Sequence, residues 1–445
     1  MAPNKYIVMG KTIIEKEIAD SIKSKLGIKS AGQASIREVK KLVDEIESAS
    51  SVKFVRMEMG VPGLPPAQAG IEAEIEALKS GVAALYPDIM GVKALKNEIS
   101  LFVKNFLDVN VSPEGCVPTV GSMQGGFASF MMLNRIKADR DTILFIDPGF
   151  PVHKQQVKVL GNKFASFDVY NFRGEKLREK LESMLSAGNI HSMLYSNPNN
   201  PSWICFTDSE LKIIAEVAAK YDVVVVEDLA YFAMDFRKDY SKPGQPPFQP
   251  TIANYYDKYI LMISSSKAFS YAGQRIGMMV ISDKLFTTKY PDLKRFYARE
   301  EFGHAMIFGT LYALSSGAAH TTQYGLLGIL KAANNGSYNF REDVMEYGRK
   351  AGIMKKMFTD NGFKIVYDMD ENNPVADGFY FTVSYPGLTG DQLLDEFLYY
   401  GISAIALSTT GSERTEGIRA CVSLVHRDQF PALEERLKLF RENHA

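Results

Sequence analysis

The stretch Ile263-Ser-Ser-Ser-Lys267-Ala-Phe-Ser-Tyr-Ala-Gly-Gln-Arg275-Ile-Gly277 gathers an amine, several hydroxyls and, eight residues past the lysine, a guanidinium. Two apolar runs, 259–262 and 276–281, flank it and read as buried strands. An amine held in a partly dry site loses some of its preference for the charged form and becomes nucleophilic toward carbonyls. Hydroxyls beside an arginine fork suit a phosphate. Together these groups suit a ligand that is both an aldehyde and a phosphate ester. A serine-rich loop with a solvated Lys and Arg is the plainer alternative, and this stretch alone does not separate the two.

Other chemistry-bearing residues fall at the ends of apolar runs. Gly121-Ser-Met-Gln-Gly-Gly126 precedes the apolar segment 127–136. A glycine-rich turn at a helix start offers free N–H groups and the positive dipole end to an anion. Phe150, in Asp147-Pro-Gly-Phe150-Pro151, could stack on a flat ring or simply fill a core. Asn197-Pro-Asn-Asn200-Pro201 forces a turn and presents amides. Asp228 ends the run 223–227, and Tyr231 lies three residues on. A carboxylate there is costly to bury unless a cation or hydrogen-bond donors meet it. A pyridinium N–H would serve, and a helix N-cap is the structural alternative. Arg419 shares one face of an expected strand with Cys421 and Ser423. There it suits two-point capture of a carboxylate, or is a half-exposed strand arginine.

These residues need a scaffold, and periodicity supplies one. Strands are expected at 142–147, 163–168, 191–196, 222–228, 259–264 and 276–282, with helices between several of them. Thr207-Asp-Ser-Glu210 is a capping box opening the best-marked helix. The run Val223-Val-Val-Val226 lacks alternation, as in a strand covered on both faces. That order means an α/β fold, a three-layer αβα domain with a mostly parallel sheet, whose ligands bind beyond the strands' carboxyl ends. Before it come helices at 68–80, closing at Gly81, and at 92–106. After it come a four-proline excursion at 239–250 and a long helical region, 305–360. The tail, with strands at 378–383 and 417–425 and a helix capped by Thr389-Gly-Asp-Gln392, reads as a smaller α+β layer.

A chain of 445 residues, 46% hydrophobic and 23% charged, is an ordinary globular composition for two or three domains. The net charge of −1 makes no electrostatic case for nucleic acid or an anionic membrane. Three widely spaced cysteines suit a reducing compartment, and six histidines without an HxxxH or HxH pair give no reason to expect a metal. No signal-peptide core stands at the amino terminus and no run nears 18 apolar residues, so the expected location is cytoplasmic.

Taken in order, the motifs closely resemble the fold-type I, class I/II pyridoxal-phosphate aminotransferases of the aspartate aminotransferase superfamily, from about Gly60 to Val425. The resemblance implies pyridoxal 5'-phosphate as cofactor, bound through its aldehyde to Lys267. It makes Asp228 the partner of the pyridine nitrogen, and Tyr231 and Asn200 donors to the 3-hydroxyl oxygen. Ser264 and Arg275 match phosphate ligands, Ser122 and Met123 the helix-start donors, and Phe150 the ring-stacking aromatic. Tyr86 matches a tyrosine that reaches the neighbouring subunit's phosphate, which implies a homodimer. Arg419 matches the grip on the substrate α-carboxylate, with Gly60 and Asn200 also on the substrate side.

The implied activity is a ping-pong transfer of an amino group between an amino acid and a 2-oxo acid. A β-lyase or decarboxylase on the same site, or a non-catalytic coenzyme-binding regulator, is the alternative. A nicotinamide enzyme is discounted, because no G-x-G-x-x-G follows a strand with an acidic residue some twenty positions on. The expected division is 1–66 contributing to a small domain, 67–330 as the large coenzyme domain, and 331–445 as the rest of the small one. The pattern departs from the family at Trp203, where glycine is usual, and at Ser265 and Tyr271 in the lysine loop. Arg56 and Arg299 are the arginines considered for a second substrate carboxylate, which leaves the amino acid itself unassigned.

Overall fold

Seven strands build the larger sheet, in the order Cys116–Thr119, Gly277–Ile281, Tyr259–Ser264, Val224–Leu229, Ile190–Ser196, Thr142–Asp147 and Lys163–Asp168. Only Gly277–Ile281 runs antiparallel to its neighbours. The computed structural model describes residues 11–444, so the reading of residues 1–10 lies outside the described residues. The central strands are buried along their whole length, as the unbroken valine run requires. Their apolar side chains, among them Val224, Val226, Ile260 and Met262, form one core with Phe130, Leu133 and Val157 of the helices Gly121–Leu133 and Pro151–Val159. The helix Asp208–Tyr221 opens at the expected capping box, with the Thr207 hydroxyl accepting from the Glu210 N–H at 3.3 Å.

This sheet belongs to a unit made of Val61–Gly348 and Asp368–Gly378. A second unit joins the described residues up to Gly60 with Arg349–Tyr367 and the chain from Phe379 on. Its antiparallel sheet runs Ile405–Ala406, Gly417–Cys421, Tyr380–Ser384, Lys364–Ile365. Thr389 caps the helix Gly390–Tyr399 in a second capping box.

The expected helical region 305–360 is four pieces: a wide π-type turn at Ala305–Leu311, then Tyr312–Ser315, His320–Asn334 and Phe340–Asp360. Ser316 and Gly317, both at positive φ, stop the chain between the second and third, and Gly336 follows the third. The proline-rich excursion carries no helix or strand. Its tip at 244–247 is exposed, while Tyr240 and Gln249 at its base are buried. No helix among the described residues is long and apolar enough to cross a membrane.

Candidate active site

Lys267 lies in the one-turn helix Ser265–Ala268, directly beyond the carboxyl end of the strand Tyr259–Ser264. Its side chain is half-buried. Two of the unusual residues here brace the loop. The Ser265 hydroxyl donates to the Ile276 carbonyl at 2.6 Å, and the Tyr271 hydroxyl donates to Glu74 Oε2 at 2.6 Å. Ser264 is buried and its hydroxyl accepts from the Ser266 N–H at 3.1 Å. Arg275, in the left-handed region at φ +52°, folds back so that Nη1 donates to the Ala272 carbonyl at 2.9 Å.

That turn sends the Arg275 guanidinium to the amino end of the helix Gly121–Leu133. Gly121 is at φ +62°, and a Cβ there would stand 2.6 Å from Arg275 Nη2. Likewise a Cβ on Gly277 would stand 2.9 Å from the Ser122 nitrogen. Two glycines therefore let a guanidinium, a helix N-terminus and the serine of the lysine loop converge. Ser122 and Met123 lie in the first turn of that helix, and Gln156 Nε2 holds the Met123 carbonyl at 2.9 Å. A cationic fork beside helix-start N–H groups suits a phosphate.

The opposite end of the site is acidic. Asp228 pairs in register with Ser196 and Met262 on the flanking strands. It is no helix cap: among the described residues its carboxylate accepts one hydrogen bond, from the Ala230 N–H at 3.1 Å. Burial pushes its carboxyl up to about 7. Glu227 next to it points to the other sheet face and is also raised to about 7 by burial. Glu227, however, accepts from the Thr251 hydroxyl and from the Ile252 N–H at 3.2 Å. Glu227 Oε1 is left without a hydrogen-bond partner among the described residues, so both acids keep acceptor capacity, and it is Asp228 that lies beside His153, where a ring N–H would use it.

His153, which the sequence reading passed over, lies with Nε2 at 3.6 Å from Asp228 Oδ2. That is too long for a hydrogen bond, and burial pulls the imidazolium down to about 4, so the ring is neutral at pH 7. Phe150 meets this histidine edge-on, with centroids 5.5 Å apart. Only its spacing of three from Phe150, the residue that precedes the helix Pro151–Val159, signals it in the sequence. Asn200 and Tyr231 are both buried, and Tyr231 packs edge-on against Trp203 at 5.3 Å. Thus Lys267, Ser264, Arg275, Ser122, Met123, Phe150, Asn200, Asp228 and Tyr231 all come together in one unit, around the carboxyl ends of its strands.

Arg419 and Gly60 belong to the other unit. Arg419 is 1% exposed, so it is no half-exposed strand residue. Its Nη2 donates to the Glu58 carbonyl at 2.6 Å, and its guanidinium lies 4.4 Å from the centre of the Tyr380 ring. Gly60 leaves room for that ring, since a Cβ would stand 2.0 Å from the Tyr380 hydroxyl. Arg56 is held by Asp44 at 2.7 Å and Glu58 at 2.8 Å, so its charge is already matched. Arg299 is exposed. Tyr86 is 93% exposed.

These residues fit pyridoxal phosphate: an amine, a cradle kept open by Gly121, an under-satisfied buried acid and an aromatic ring. Comparison with known proteins agrees. The family model for aminotransferase class I and II matches residues 53–366. A probable aspartate aminotransferase of Methanocaldococcus jannaschii is 25% identical over 339 residues, 74% of this chain and 82% of that one. An LL-diaminopimelate aminotransferase of Natranaerobius thermophilus is 25% identical over 311 residues, 69% of this chain and 75% of its own. Among solved structures, an alanine aminotransferase from Pyrococcus furiosus superposes with a TM-score of 0.74 at 18% identity, covering 94% of this chain and 99% of that one.

Proposed function

This chain belongs to the class I and II aminotransferase family, and we propose that Lys267 is its reactive amine, Asp228 its ring-nitrogen partner and Arg419 its substrate-carboxylate ligand. The protein is a pyridoxal-phosphate-dependent aminotransferase that moves an amino group between an amino acid and a 2-oxo acid in two half-reactions. The bound coenzyme supplies an electrophilic aldehyde and a ring that accepts electron density.

The chain's own residues do the rest. Lys267 would hold the coenzyme through its amine and, as a neutral amine, would take the proton from the substrate Cα. Asp228 stabilises a proton on the ring nitrogen. Tyr231 and Asn200 donate to the 3-oxygen. Ser264, Arg275 and the N–H groups of Ser122 and Met123 fix the phosphate, and Phe150 covers the ring. Arg419 binds the substrate α-carboxylate, and Gly60 and Asn200 are the other residues assigned to the substrate.

The observation that carries this reading is Asp228, a buried acid near a strand's carboxyl end whose carboxylate accepts one hydrogen bond among the described residues. Borohydride reduction of the coenzyme-loaded protein, followed by peptide mapping, tests it. The adduct is expected on Lys267, and an adduct on another residue, or none, would reject the assignment. A panel of twenty amino acids, scored by loss of the visible coenzyme band without release of ammonia, identifies the substrate and separates transfer from lyase chemistry.

The working form on this reading is a homodimer in which Tyr86 serves the neighbouring site. Its support is a set of exposed large apolar side chains, Ile75, Leu78 and Leu85 on one segment and Phe308, Tyr312 and Leu314 on another. The two compact units act as the large coenzyme domain and the small domain. A cytoplasmic location accords with three cysteines that are all free thiols.

A further inference from the structure

Trp203 is the only tryptophan of the chain and occupies a position where its family pattern has glycine. Its backbone keeps the glycine conformation, at φ +63°, which a bulky residue adopts only when its surroundings over-determine it. The side chain is 0% exposed. One face of the indole meets Tyr231 at 5.3 Å and 70°. On another side lies Gly378, where a Cβ would stand 1.9 Å from the indole Cε2, so only a residue without a side chain passes there.

Gly378 ends the excursion 368–378, and that excursion is fastened to the same unit. Asp370 accepts from the Cys205 N–H at 2.7 Å and from Arg237 Nη2 at 2.8 Å, with Arg173 Nη1 at 3.6 Å. The loop on the indole's own side is equally tied. The Trp203 N–H donates to the Asn199 carbonyl at 2.9 Å. Asn199 Nδ2 donates to the Pro148 carbonyl at 2.8 Å and to Ser196 Oγ at 3.1 Å, and the Ser202 hydroxyl donates to Asn199 Oδ1 at 2.6 Å.

We propose that Trp203 is a positioning residue for the coenzyme: clamped between Gly378 and Tyr231, its indole sets the Tyr231 ring and the Asn200 turn before the coenzyme arrives. The inference rests on the reading of Tyr231 and Asn200 as donors to the 3-oxygen. Tyr231 follows a strand end in an irregular turn, and the indole forms one wall of its buried ring. A donor already in place loses less freedom on binding and holds the oxygen's anionic form better. A glycine at 203 would relieve the backbone but leave Tyr231 without that wall.

The test is the pH titration of the visible band of coenzyme-loaded protein, with the melting temperature of the coenzyme-free protein alongside. Loss of a preset donor raises the pH midpoint of the band. W203A is expected to move it up by about one pH unit, and W203F to recover most of the shift. G378A keeps the indole but displaces it, so it too should raise the midpoint, and it decides the matter if W203A does not fold. In a Y231F background W203A should add less than it does alone, because only the share carried by the Asn200 turn remains. A midpoint unchanged in W203A or G378A, or a full additive shift on Y231F, overturns the inference while leaving the coenzyme reading intact. A wild-type protein with no visible band in excess coenzyme overturns both.

Discussion

His153 Nε2 and Asp228 Oδ2 lie 3.6 Å apart, with 6% and 7% of their side chains exposed. Burial keeps the histidine neutral at pH 7, so it offers the acid a polar neighbour without a countercharge. Asp228 is therefore costly to ionise until a ligand brings the positive end of a ring N–H.

That cost is measurable in the coenzyme-free protein. Asp228 has an ordinary value of 3.8 and is raised to about 7 on folding, so the folded chain holds the proton more tightly than the unfolded one. Its contribution to stability is full below pH 4 and is lost as pH rises through 7. Asn cannot ionise and escapes the loss. Relative to wild type, coenzyme-free Asp228→Asn should gain up to ~4 kcal/mol between pH 4 and pH 8. Urea unfolding at both ends of that window would show it, and a stability difference independent of pH would contradict it. The same variant should lose Cα deprotonation by orders of magnitude, a trade of function for stability.

Lys267→Ala should bind coenzyme without a covalent link. Borohydride treatment and mass analysis should then find no reduced adduct, whereas wild type carries one per chain. A persistent adduct would place the reactive amine elsewhere.

Gly121→Ala tests the cradle. A Cβ 2.6 Å from Arg275 Nη2 must push the guanidinium away, and φ +62° strains any side chain there. Coenzyme affinity should fall by about tenfold or more, near 1.4 kcal/mol, with about 1 kcal/mol or more of lost stability. Spectral titration with coenzyme reads the first and thermal unfolding the second. Unaltered affinity would mean that Arg275 does not contact the phosphate.

Arg419→Ala should raise KM for the amino acid by roughly 10- to 100-fold, the range of a charged hydrogen-bonded contact. Arg419→Lys should recover little, since one ammonium cannot replace a planar fork stacked on Tyr380. Steady-state kinetics over a wide substrate range separates KM from kcat. If KM stays at the wild-type value in both variants, another group binds the carboxylate.

Tyr86 gives a test of the dimer. Tyr86→Phe and Lys267→Ala chains, each impaired alone, should regain activity when unfolded together and refolded, because the mixed dimer has one site with both Lys267 and a neighbour's Tyr86. Sedimentation should show two chains per particle. A mixture no more active than its parts would separate Tyr86 from the neighbouring site.

The sequence by itself determined the alternation of strands and helices, the two capping boxes at Thr207 and Thr389, and which residues stand at strand ends. These depend on neighbours a few residues apart, and periodicity reports such neighbours directly. It also placed Lys267 and Asp228, because an α/β sheet brings its strand ends to one edge whatever the loops do.

Only the tertiary structure decided the rest. It committed Arg56 to Asp44 and Glu58, and it set His153 beside Asp228. It also seated Gly378 under Trp203 and fastened the excursion 368–378 through Asp370 to Cys205 and Arg237. Apart from the pair Arg56–Glu58, each of these contacts joins residues from 12 to 175 positions apart. No local pattern encodes such a contact. It follows from how packed layers bring distant segments together, and the charge or space left over is settled only then.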